Sequence, residues 1–84
     1  MNAKKISALI GEIFNVSNTY LKNNLDNDDA LLEINSALAA VLVALWHHVQ
    51  QRAPHTDGGK SYFLQELEIW EDQKDEITVT RWLQ

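Results

Sequence analysis

The sequence predicts a small α+β protein in which two antiparallel helices precede a C-terminal β-hairpin. Three observations predict it. Apolar residues recur at three- and four-residue steps over the first fifty positions. Pro54 and the pair Gly58-Gly59 then break the pattern. The segment after them is rich in β-branched and aromatic residues, with Ile77-Thr78-Val79-Thr80 β-branched throughout. An all-α, three-helix arrangement is the alternative.

The first helix is expected over residues 3–24. Ile6, Leu9, Ile10, Ile13, Phe14, Tyr20 and Leu21 form the apolar stripe, with Ser17 filling one step of it. Lys5, Glu12, Asn15, Asn18 and Lys22 occupy the other side. Asn23 and Asn24 suit a helix end, because Asn accepts the left-handed backbone at low cost. Lys4 and Lys5 before an apolar run resemble the start of a signal peptide. Gly11 and Glu12 interrupt that run and no small-residue cleavage site follows, so an amphipathic helix is the expectation.

A second helix is expected over 29–52. An aspartate from Asp26, Asp28 or Asp29 caps it, and Pro54 stops it. Its centre, ALAAVLVALW from Ala37 to Trp46, is apolar on every side. That run is shorter than the roughly 20 apolar residues a bilayer requires, so it reads as a buried helix, with no membrane partner expected. Ala37, Ala40 and Ala44 form a small-residue face, with Val43 beside it, on which another helix can approach closely. A second copy of the chain is the simplest supplier of that helix, so Ala37, Ala40, Val43 and Ala44 are the predicted homodimer interface.

Residues 53–61 read as a loop. Two strands, about 62–71 and 76–83, follow from a period-2 register in which Ile69 faces Ile77, Leu67 faces Val79 and Phe63 faces Leu83. The turn within Glu71–Asp75 lacks glycine. In this register Tyr62, Glu66, Glu68, Trp70 and Trp82 share the outer face. That acidic face, with aromatic anchors of the kind that dominate interfaces, is the predicted docking surface for a basic protein.

The 84 residues are expected to form one domain, residues 1–84. A hydrophobic share of 45% and a charged share of 23% suit a folded chain rather than a disordered one. A net charge of −5 argues against direct nucleic-acid binding, which requires a basic stripe. With no cysteine, the chain has no disulfide or thiolate metal site, which fits a cytoplasmic location. So short a chain buries a modest share of its surface, which makes a partner subunit a natural supplement.

Motifs for chemistry are weak. His47 and His48 point about 100° apart on a helix, so at most one of them joins His55 and Asp57. Gly58-Gly59-Lys60-Ser61 ends like a phosphate-binding loop, but Pro54 stands where the first glycine belongs and a helix precedes it. The cluster Asp26–Asp29 lacks the glycine of a calcium loop. Ser61, Lys60 and the histidines are too loose a set for a nucleophile with its base. No catalytic residue, cofactor or metal is predicted. The expected function is that of a small acidic, non-enzymatic protein acting through protein–protein binding as a homodimer, an accessory factor or inhibitor. The alternative is a small-ligand binder or minor enzyme with a cavity near Trp46, His47 and His48.

Overall fold

The computed structural model describes residues 2–73. These form three helices: α1, Ala3–Asn23; α2, Ala30–Arg52; and α3, Lys60–Asp72. Among the described residues there is no strand. The predicted α+β class and its hairpin are therefore overturned, and among the described residues the all-α alternative holds. The expected strand 62–71 is helical, and the expected strand 76–83 lies outside the described residues.

The described residues fall into two compact units, 2–34 and 35–73. In the first, Asn2 caps α1: its side-chain oxygen accepts from the backbone N–H groups of Lys4 and Lys5 at 2.9 and 3.2 Å. Ser17 satisfies its hydroxyl locally by donating to the Ile13 carbonyl at 3.0 Å. At the far end the Asn24 amide donates to the Tyr20 carbonyl at 2.7 Å, so the chain leaves the helix without a left-handed residue.

The connection to α2 is held by polar groups. Asn27 Oδ1 accepts from Asp29 N–H at 2.9 Å, and the Asp29 carbonyl accepts from Glu33 N–H at 2.9 Å. The Glu33 carboxylate receives both the Asn27 amide at 2.6 Å and the Tyr20 hydroxyl at 2.8 Å. Tyr20 of α1 is thereby tied to the first turn of α2. This bond and the Glu33 charge push the Tyr20 phenol above its usual pKa.

The second unit is built on a close approach at Trp46. Gly58 is buried, with φ +71°. A Cβ placed on it would lie 2.8 Å from the Trp46 Cα and carbonyl carbon, and nearer still to the carbonyl oxygen. Glycine is required there twice over, for the backbone conformation and for the space. From this point the chain enters α3, and Phe63 meets the Trp46 indole with ring centroids 5.6 Å apart and planes tilted by 58°. Such aromatic pairs contribute about 0.5–1.5 kcal/mol beyond their buried area.

Why α3 is a helix follows from its start and its period. Asp57, before the two glycines, accepts from Gly59 N–H at 3.1 Å, from Ser61 N–H at 2.9 Å and from the Ser61 hydroxyl. These bonds satisfy donors that a helix N-terminus leaves free. Phe63, Leu67 and Trp70 then repeat at helical spacing, and Tyr62 bonds Glu66 one turn on. A strand would forfeit the cap, the turn-to-turn bond and the contact with Trp46.

Gly58→Ala is expected to destabilise the protein. Left-handed strain alone costs about 1–3 kcal/mol, and the contact with the Trp46 backbone adds to it. A fall of several degrees in the thermal unfolding midpoint is expected, read by far-UV circular dichroism. An unchanged midpoint would show that α2 and α3 do not depend on this contact.

Candidate interaction surface

The helical form of 60–72 redistributes the predicted docking residues. At 100° per residue, Tyr62, Glu66 and Trp70 still share one side of α3, at steps of four. Glu68 falls on another side. Trp82 lies outside the described residues. Glu66 is half-buried, as is Phe63 on the same half of the helix, while Tyr62 and Trp70 are more exposed. The predicted acidic face with its aromatic anchors is thus replaced by a narrower stripe. Its tyrosine is engaged with its own glutamate: the Glu66 carboxylate accepts from Tyr62 and raises the phenol's pKa. Glu66, Glu68, Glu71 and Asp72 against Lys60 keep the helix acidic.

On α2 the four predicted interface residues, Ala37, Ala40, Val43 and Ala44, are all exposed. The half-buried positions of this stretch are Leu42, Trp46 and Gln50, a different face. The alanines lie on the far side of the helix from it, roughly 150° around the axis. The central helix is therefore not buried, contrary to expectation. Leu38, Val41, Val43, Leu45 and Val49 are between 41% and 57% exposed, and Ala30 is the one buried residue of α2. Period alone could not reveal this, because a helix apolar on all sides carries no signal for which side is covered.

The sequence motifs resolve into local structure. Gly58-Gly59-Lys60-Ser61 and Asp57 make the start of α3, and Ser61 spends its hydroxyl on Asp57. Asp29 belongs to the start of α2. His47, His48 and His55 are exposed, and His47 Nε2 lies 3.3 Å from the Gln51 amide one turn away. Among the described residues no group of three His, Asp or Glu side chains could hold a metal ion. The most informative surface is one that the residue pattern did not separate. On α1 the apolar stripe splits into a half-buried row, Ile10, Phe14, Ser17 and Leu21, and an exposed row, Ile6, Leu9, Ile13 and Tyr20, to which the exposed Val16, outside the expected stripe, also belongs.

No protein-family model matches the chain, and no curated protein or solved structure is significantly similar to it.

The cap at Asp57 has a pH signature. The Ser61 hydroxyl, then the Ser61 and Gly59 amides, hold its carboxyl below the ordinary carboxylate pKa. The folded state favours the ionised form, so the cap stabilises fully above the unfolded value of about 3.9. That contribution disappears as pH falls through the lowered folded-state value. Asp57→Ala is expected to lower the unfolding midpoint at neutral pH and to flatten the acid limb of midpoint against pH. Parallel curves for variant and wild type below pH 5 would show that Asp57 is not the titrating cap.

Proposed function

We propose that this chain is a non-enzymatic protein that acts by binding other polypeptides and does so as a homodimer, with the Ala37, Ala40, Val43 and Ala44 face of α2 in the contact between copies. The exposure of the apolar residues on α2 carries this reading. Soluble monomers rarely leave contiguous apolar surface of this kind uncovered, and the alanines allow close helix–helix approach. The acidic α3, with Tyr62, Glu66 and Trp70 on one side, supports a basic protein as a further partner, because complementary charge speeds and selects encounter. In this reading the chain is a cytoplasmic accessory factor or inhibitor.

Membrane insertion is the second reading, favoured by one observation. By length and composition the 23-residue α2 is apolar enough to cross a bilayer. Glu33 near one end and His47 and His48 near the other shorten its uninterrupted apolar centre.

Sedimentation equilibrium from low micromolar to submillimolar concentration decides between these outcomes. A concentration-dependent dimer is expected, and Ala40→Glu is expected to weaken it by on the order of tenfold or more, because the charge would be taken out of water without a partner. A monomer at every concentration overturns the reading. Co-flotation of the protein with phosphatidylcholine vesicles, with no dimer in their absence, replaces it with the membrane reading.

A further inference from the structure

The exposed row on α1 has a spacing that the half-buried row does not. Ile6, Leu9, Ile13, Val16 and Tyr20 are separated by three, four, three and four residues. This is the a/d alternation of a coiled coil, with Ile6, Ile13 and Tyr20 at a and Leu9 and Val16 at d. All five are 37% to 72% exposed, although the neighbouring row of the same helix is already half-covered. A helix with one apolar row covered and a second, heptad-spaced row open presents a seam for another helix.

We infer that this seam pairs with the same seam of a second copy, in parallel and in register, as a short two-stranded coiled coil. The inference rests on the self-association proposed above and adds to its α2 contact a second contact between copies, on α1. Three arguments select this occupant. First, β-branched residues at a with leucine at d favour two strands in parallel pairs, and Ile6, Leu9 and Ile13 follow that rule.

Second, parallel pairing aligns every seam residue with its counterpart. Antiparallel pairing sets each a against a d, and its best registers match only Ile6 with Val16 and Leu9 with Ile13, or Leu9 with Tyr20 and Ile13 with Val16, each twice over. One seam residue is then left out. The flanking positions raise no objection to the parallel form. Lys5, Glu12 and Thr19 lie on one flank and Ile10, Ser17 and Asn24 on the other, so no like charges face each other.

Third, the area is sufficient. Each side-chain carbon carries about 30 Å2 of apolar surface. Taking about 200 Å2 for the tyrosine, the exposed fractions leave roughly 320 Å2 of apolar surface on each copy. Interfaces are about 57% apolar, so the pair would bury roughly 1,100 Å2 in total, near the lower bound for specific complexes. The dimer is accordingly of modest affinity.

The absence of native cysteine makes the test direct. In the full chain, Val16→Cys is compared with Asn15→Cys, which lies off the seam, under mild oxidation, and Ile13→Glu is compared with wild type by sedimentation equilibrium. Disulfide-linked dimer is expected on the order of tenfold faster for Val16→Cys than for Asn15→Cys. Ile13→Glu is expected to weaken self-association by on the order of tenfold, with its circular dichroism still helical. A dimer that persists in Ile13→Glu, with no preference for the Val16 cross-link, overturns this inference and leaves the self-association reading standing. Cross-linking only when Leu9→Cys is mixed with Ile13→Cys shows antiparallel pairing and also overturns it. A wild-type monomer at all concentrations removes both.

Discussion

The approach of Gly58 to the Trp46 backbone governs how α3 meets α2. Because the glycine has no side chain, the loop after Pro54 can turn back onto the helix it has just left, and the next residues begin a new helix within reach of the same tryptophan. Trp46 thus serves twice, as the backbone on which the loop rests and as the ring against which Phe63 packs. Asp57 supplies the third component by capping α3 across the two glycines. The residues that bring clearance, aromatic contact and cap to Trp46 and α3 all lie between Asp57 and Phe63.

The first unit is organised by different chemistry. There Glu33 collects hydrogen bonds from Asn27 and Tyr20, so a single carboxylate ties the end of one helix to the start of the next. These groups are exposed, and their value lies in orientation more than in burial, since solvent-exposed polar contacts are individually weak. Neither unit contains a large, fully buried side chain among the described residues. Apolar contact is distributed over half-covered rows, and whole rows on α1 and α2 stay open. The hydrophobic effect that would ordinarily be spent within one chain is therefore still available for association.

Much of the local structure was legible in the residues. The extents of α1 and α2 followed from periodicity and from the stop at Pro54, because these features act within one or two turns. Residues 62–71 carry an ambiguous pattern, because Phe63, Leu67 and Ile69 satisfy a period of two almost as well as Phe63, Leu67 and Trp70 satisfy a period of 3.6. The signal that decides for helix sits upstream. Asp57 followed four residues later by Ser61 forms a cap across Gly58-Gly59, and a serine next to glycines reads locally as loop. The predicted docking residues Tyr62, Glu66 and Trp70 stay together because a step of four preserves parity in a strand and also adjacency on a helix. Glu68, two residues from each of its neighbours, has only the first property.

By itself the sequence determined where helices start and stop along α1 and α2, the absence of disulfide chemistry, and a central helix with no polar side in its middle. Those properties are set by neighbouring residues and by composition, so no fold is needed to read them. Which apolar row is covered was decided only in three dimensions. Ile10 and Phe14 are half-buried while Ile13 and Val16 are exposed, although all four are apolar and lie on one helix. Period records which residues share a side of a helix; only packing records which side another part of the chain has occupied.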